Sequence, residues 1–180
     1  HAAVLLKTGK VLVAGGGGAD ATGKPLRYLA SSELYDPQNG TWSPTGSLSF
    51  PEGFGATLLG DGTVLMANMG RSELYDPSTG RWTPGGSPVT GRFAASQTLL
   101  ADGTVLVAGG LGAIGGGSVS LDSAEVYDPG TRTWTSTGSM LSARAGQSAT
   151  RLADGRVLVT GDGLGIVSAA GIRADPALAA

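Results

Sequence analysis

Glu33-Leu-Tyr-Asp-Pro-Gln-Asn-Gly-Thr-Trp42 decides the fold, because it returns as Glu73-Leu-Tyr-Asp-Pro-Ser-Thr-Gly-Arg-Trp82 and again as Glu125-Val-Tyr-Asp-Pro-Gly-Thr-Arg-Thr-Trp134. Glu and Trp stand nine positions apart in every copy. A second element, Gly-x-Val-Leu-Val/Met, starts at Gly9, Gly62, Gly103 and Gly155, and its apolar runs end at Gly15-Gly16, Asn68, Gly109-Gly110 and Gly161. From Trp to the next such Val the spacing is 22, 23 and 23 residues, whereas from that Val to the next Glu it is 22, 9 and 20. A rigid unit with one variable joint is the mark of a scaffold carrying loops, since loops tolerate insertion and paired strands do not.

Each unit reads as four short strands. In the third repeat they fall at 96–100, 104–108, 123–127 and 133–135, where apolar runs are bounded by Gly, Asp and Pro. Asp61-Gly62, Asp102-Gly103 and Asp154-Gly155 predict type I′ hairpins between the first two strands. Asp-Pro-x-x-Gly at 36–40 and 76–80 predicts a Pro-initiated turn, with the third copy moving its glycine to Gly130. No stretch repeats apolar residues at helical spacing over eleven positions, so the class is all-β. A four-strand unit cannot bury both faces alone, but radially stacked copies can. Tyr35, Tyr75 and Tyr127 with Trp42, Trp82 and Trp134 are therefore expected in the layers between units. The pairs Gly15-Gly16 and Gly109-Gly110 are expected where second strands converge near an axis.

Composition narrows the class. Charged residues make up 14% of the 180, 32 are glycine, 41% are hydrophobic and the net charge is -2. This is a turn-rich globular composition without the basic stripe that nucleic acid requires. No apolar stretch approaches the ~20 residues of a membrane helix. The absence of Cys excludes disulfides and thiolate chemistry and leaves the redox compartment open. The chain starts at His1 inside a repeat, so a segment of a longer protein is expected.

Gly9-Lys-Val-Leu-Val-Ala-Gly-Gly16 followed by Glu-Leu-Tyr-Asp-Pro and Thr41-Trp42 resembles the kelch repeat. Asp102-Gly-Thr-Val-Leu-Val-Ala-Gly-Gly110 is similar to bacterial extracellular kelch proteins and galactose-oxidase-like propellers. The likeness spans residues 1–163. It implies a kelch β-propeller sector of about three and a half four-stranded blades, at 1–48, 54–88, 94–138 and a partial 146–163, with 164–180 a degenerate or disordered tail. His1 aligns with Phe54, Ala95 and Gln147, so the chain enters in a first strand. Ala67-Asn-Met-Gly70 departs from the diglycine, and a tighter turn is expected there. Propellers close with ~4 to 8 blades, so further blades of the parent chain, or self-association, are expected to cover the open apolar faces. The likeness also implies a secreted or cell-surface location.

In a four-strand meander the second-to-third and fourth-to-first connections share one face. That face gathers the long loops 16–31 and 110–122 and the connections 44–54, 85–95 and 137–147, and a protein or glycan ligand is expected there. Arg92 and Arg144 hold equivalent positions, with Pro51 replacing them in the second blade. Such arginines bind carboxylates or sugar hydroxyls, or else pair with a Glu or Asp of a neighbouring blade and fix the loop. Asp20, Asp122 and Arg27 complete the candidate ligand contacts, and Asp20, Asp122 and Asp162 are weak calcium candidates. The Gly-rich loops lack the Lys-Ser/Thr end and helix of a phosphate cradle. The galactose-oxidase likeness implies a copper radical site with a Cys–Tyr crosslink. This segment has no Cys and a single His, His1, so no catalytic residue, metal or cofactor is assigned to it; a fragment of such an oxidase is the alternative to a binding module.

Overall fold

The computed structural model describes residues 1–19, 25–51, 55–114 and 117–161. Its elements are all strands. The first blade contains β1 (Ala2–Leu5), β2 (Val11–Ala14), β3 (Gly17–Ala19), β4 (Pro25–Tyr28), β5 (Ser32–Asp36) and β6 (Thr41–Thr45). The second holds β7 (Ala56–Leu58), β8 (Val64–Asn68), β9 (Arg71–Asp76) and β10 (Arg81–Pro84). The third holds β11 (Ser96–Leu99), β12 (Val105–Ala108), β13 (Leu111–Ile114), β14 (Gly117–Ser120), β15 (Ala124–Asp128) and β16 (Thr133–Thr137), and β17 (Ser148–Arg151) and β18 (Val157–Thr160) follow. Three antiparallel sheets of four strands result, ordered β1-β2-β5-β6, β7-β8-β9-β10 and β11-β12-β15-β16, with β17-β18 as a two-stranded fourth.

Burial follows each blade's neighbours. All five residues of β8 are buried because a blade lies on either side, whereas β18 alternates between half-buried and exposed. The first gap packs Leu6, Leu12 and Leu34 against Val64, Tyr75 and Trp82. The second packs Leu59, Leu65 and Leu74 against Val105, Val107 and Tyr127. In each blade Tyr and Trp sit opposite one another across the third and fourth strands, with ring centroids 5.0, 5.2 and 4.9 Å apart and tilted. The indole then reaches back a blade: Trp82 Nε1 donates to Ser32 Oγ at 3.2 Å and Gly46 O at 3.1 Å, and Trp134 Nε1 donates to Ser72 Oγ at 3.3 Å. Trp42, in the first blade, is 54% exposed.

The repeat is imperfect at one hydroxyl. Tyr75 OH and Thr45 Oγ1 share a 2.7 Å hydrogen bond. Gly85 replaces that threonine in the second gap, and the buried Tyr127 OH has no protein partner. Burial raises the Tyr127 phenol above its ordinary pKa.

Four expectations are corrected. The loops 16–31 and 110–122 carry ribbons, β3-β4 and β13-β14, inserted between second and third strands. The first hairpins are not type I′: Gly62 N donates to Leu59 O and Leu59 N to Thr63 O, and Gly62 has φ +95° while Asp61 is not left-handed. This three-residue loop ends in a left-handed glycine, and the hydrogen bonds recur at Gly9, Gly103 and Gly155. Third, the inner strands are the first ones, since β1, β7, β11 and β17 touch in series. The diglycine is demanded instead by strand entry: a Cβ on Gly109 would lie 2.5 Å from Arg144 O, and one on Gly110 would lie 2.7 Å from Phe93 O. Both residues also have positive φ. Fourth, Gly130 does not replace Gly40 and Gly80 in the outer turn, because Arg132 takes their left-handed position at φ +56°.

The second blade does turn more tightly. Asn68 pairs with Arg71 across a two-residue loop of Met69 and Gly70, both at positive φ.

The inner hairpin tips and the outer turns are held by aspartates. Asp102 accepts from Thr104 N at 3.0 Å and Thr104 Oγ1 at 2.7 Å. Asp36 accepts from Gln38 N and pairs with Lys10, Asp76 accepts from Ser78, and Asp154 accepts from Arg156. These bonds favour the carboxylate, so all four groups titrate below the usual range.

Two outcomes follow. Trp82→Ala is expected to cost about 3 kcal/mol in urea unfolding, and Trp42→Ala, with its ring half exposed, below about 1 kcal/mol. Because the four Asp pKa values are lower in the folded state, their stabilisation is complete above about pH 4 and is lost as pH falls through the folded values. The melting temperature should hold from pH 7 to about pH 4 and then drop, and replacing all four by Asn should flatten that drop.

Candidate functional site

The connections between blades are held to the scaffold by a buried carboxylate. Glu125, 1% exposed, accepts from Val89 N at 2.7 Å, Thr90 N at 2.9 Å and Arg92 NH2 at 2.8 Å. The opposite amino group, Arg92 NH1, donates to Gly109 O at 2.9 Å and Ser123 O at 2.7 Å. Strand register forces this meeting, since Glu125 lies opposite Val107 and projects from the loop end of β15. The second blade repeats it without arginine: Glu73 accepts from Ser49 N at 3.1 Å and from Ser49 Oγ, with Pro51 standing where Arg92 would be. A charged acceptor satisfying two or three donors in a buried site fixes the loop's course.

Two glutamines close the inner ends of the gaps. Gln97 Nε2 donates to Ala67 O at 2.8 Å and Gly55 O at 3.2 Å. Gln147 Nε2 donates to Ala108 O at 2.7 Å and Ser96 Oγ at 3.3 Å. Neither glutamine was legible as a clasp, because they sit two register positions apart and no repeated spacing marks them. Ser32 and Ser72 were also missed, although each precedes the glutamate of its repeat in a recurrent Ser-Glu-Leu-Tyr.

The candidate ligand residues separate. Arg92 is buried, 4% exposed, and its guanidinium is bonded within the scaffold to Glu125, Gly109 O and Ser123 O. Arg144 makes the equivalent bond, NH1 to Gly161 O at 3.2 Å, but is only partly buried. Its backbone bridges Leu121, next to the exposed Asp122, whose carbonyl accepts from Met140 N at 2.8 Å. Arg27 lies on β4 in the first blade. Asp20 and Asp162 lie outside the described residues, as does the 164–180 tail.

Exposed apolar side chains are sorted by face. Tyr28 and Leu29 at the end of β4, Phe50, Met69, Val89 and Leu141 all belong to loop-face connections. Arg71 covers one of them, its guanidinium carbon 3.6 Å from the Phe50 ring centre. The other exposed large hydrophobics, Leu5, Trp42, Leu152 and Leu158, lie on the first and fourth blades, the outermost among the described residues. The opposite face has a cleft of about 380 Å³ between the second and third blades, lined by Leu59, Asp61, Leu74, Asp76 and Arg132 among others. Asp61 and Asp76 there are engaged in their own turns.

A kelch motif model matches residues 98–141. No curated protein matches the chain. Among solved structures it is similar to YjhT, with a TM-score of 0.67 and 17% identity over 82% of this chain and 54% of that one. It is also similar to a fungal alcohol oxidase of the AA5 family in complex with copper, with a TM-score of 0.55 and 23% identity over 74% of this chain and 29% of that one. The chain thus spans about half of the former and under a third of the latter. Sheets, repeat and motif together define an all-β kelch-repeat propeller sector.

The buried clasp predicts a contrast between equivalent arginines. Arg92→Ala should cost about 3–5 kcal/mol by leaving Glu125 buried and short of a cation. Arg144→Ala, at the partly exposed copy, should cost below about 1 kcal/mol. Urea unfolding of both variants checks this.

Proposed function

We propose that this chain is a non-catalytic binding module, a propeller sector that offers its loop face to a protein partner. The observation that carries the reading is the sorting of exposed apolar side chains onto that face, while the turns of the other face bear Asp, Thr, Ser and Lys. Methionine, aromatic and aliphatic groups displaying this much apolar surface suit the core of a protein interface. A glycan is the weaker candidate, since sugar sites need a concave pocket with convergent polar groups. Arg144, Asp122, Arg27 and Asp20 are proposed as the polar surround of the contact. Held by buried carboxylates, the connections need little ordering on binding, which favours affinity. Likeness to extracellular kelch proteins supports a secreted or cell-surface setting, and no helix among the described residues is long and apolar enough to cross a membrane.

The alternative, a fragment of a copper-dependent oxidase, draws on likeness to the AA5 enzyme. Among the described residues no three His, Cys, Asp or Glu side chains come together. With one His and no Cys in the chain, this donor set does not fit a copper centre, and no step through a metal is derived.

Photo-crosslinkers at positions 69 and 89 should capture one common protein from the native host's extracellular fraction, and crosslinkers at 78 and 104 on the opposite face should not. Joint replacement of Met69, Val89 and Leu141 by Ser should abolish that capture with the melting temperature unchanged. Equal capture from both faces, or glycan-array binding that survives the triple variant, would sink the reading.

A further inference from the structure

At the loop end of the second blade the scaffold holds a cation that it does not use. Register sets Glu73 opposite Met66 and Arg71 opposite Asn68. Residues two apart on a strand share a face, and Met66 packs on Ala14 and Leu48 of the first blade, so Glu73 and Arg71 both project toward that blade. Glu73 accepts from Ser49 N at 3.1 Å and from Ser49 Oγ. That clasp fixes the residue that follows, and the Phe50 ring lies against Arg71 with the guanidinium carbon 3.6 Å from its centre.

The stack occupies a face of the guanidinium and none of its donors. Arg92 spends its donors on Glu125, Gly109 O and Ser123 O, whereas among the described residues Arg71 has the Phe50 ring and no hydrogen bond or ion pair. Even Asn68 Oδ1, buried on the adjacent strand, receives no donor. A guanidinium lying flat on a ring keeps its N–H groups along its edge, in the fork that a carboxylate accepts in pairs. Held there in advance, it gives up less freedom on binding. On the other side of the turn, Met69 N donates to Arg92 O at 2.8 Å, and a Cβ on Gly70 would lie 3.5 Å from Gly91 Cα. The turn therefore abuts the connection that bears Val89. Met69 and Val89 are each 64% exposed and Phe50 is 39% exposed, so apolar groups border the free cation.

We propose that Arg71 on Phe50, bordered by Met69 and Val89, anchors a partner segment that presents an Asp or Glu side chain next to an aliphatic or aromatic one. The carboxylate pairs with the edge of the guanidinium, and its apolar neighbour covers Met69 and Val89. This rests on the loop-face reading and adds to it the chemistry of the partner. Charge complementarity carries the choice: Glu73 and Glu125 are buried and already satisfied by the connections, so neither competes for Arg71. Arginine and aromatic groups set among apolar ones are also what concentrates binding energy in protein interfaces.

The test selects short linear peptides, C-terminally amidated so that side chains supply the only carboxylates, against the full chain. Selected peptides should carry an Asp or Glu beside Leu, Ile, Phe or Trp, and a photo-reactive leucine at the apolar position should label Met69 or Val89. By fluorescence anisotropy Arg71→Gln should weaken the best peptide about tenfold or more. Arg71→Lys, which keeps the charge without the fork, should fall between Gln and wild type, as should Phe50→Leu, and melting temperatures show that the variants fold. Changing the peptide's acid to its amide should cost wild type as much as Arg71→Gln does and cost the Arg71→Gln chain nothing further, a coupling that a purely structural role would not produce. The proposal is overturned if no acidic residue is selected, if Arg71→Gln binds as wild type does, if the two losses add, or if the label falls on the opposite face. Capture of a host protein through positions 69 and 89 that Arg71→Gln leaves unchanged overturns it too, while the loop-face reading stands.

Discussion

The gap between blades is the constraint on which everything else depends. A four-stranded sheet of this size has two apolar faces and no helix to cover them, so each blade is stable only against another. Closure combines a nondirectional part, the Leu, Val and Tyr side chains of the two core layers, with a directional one, the indole N–H reaching the serine of the preceding blade. The directional part sets rotation and height of one sheet on the next. Trp42, on the first of the described blades, keeps its Tyr35 contact and stands half exposed.

Stacking by these gaps separates the molecule's two ends chemically. On one, short hairpins and turns are closed by glycine at positive φ and by aspartates bonded to their own loops, leaving little to offer a partner. On the other, the connections vary in length, carry inserted ribbons and expose methionine, valine, leucine and aromatic groups. The Glu73 and Glu125 clasps belong to the second end. They satisfy backbone donors of the connections, so length and sequence beyond the clasp can change while the loop's root stays fixed. The second blade, with Pro51 in place of arginine and a serine hydroxyl as donor, shows that the carboxylate is the constant member and its cation the replaceable one.

The four-strand unit, the all-β class and the Tyr–Trp layers were legible because they rest on short-range facts: the period of apolar residues, the turn residues that bound each run and a fixed Glu-to-Trp spacing. The pairing of Arg92 with a carboxylate was legible as one of two options, and only burial decided it. The ribbons β3-β4 and β13-β14 were not legible, since Gly-rich segments show no alternation, and their pairing depends on where the blade leaves their ends. The hairpin type was misread because Asp-Gly is compatible with two loops, and the bond from Leu59 N to Thr63 O selects the longer.

By itself, then, the sequence determined the repeat, its strands, the residues that glue one unit to the next and the joint free to vary, because each depends on spacing within a single copy. Only the tertiary structure decided which strands face the axis, which glutamate holds which connection, that Gln97 and Gln147 close the inner gaps, and that the exposed apolar groups share a face. Those outcomes depend on how one sheet is rotated against its neighbour, a quantity set by side-chain packing between residues tens of positions apart and written in no local pattern.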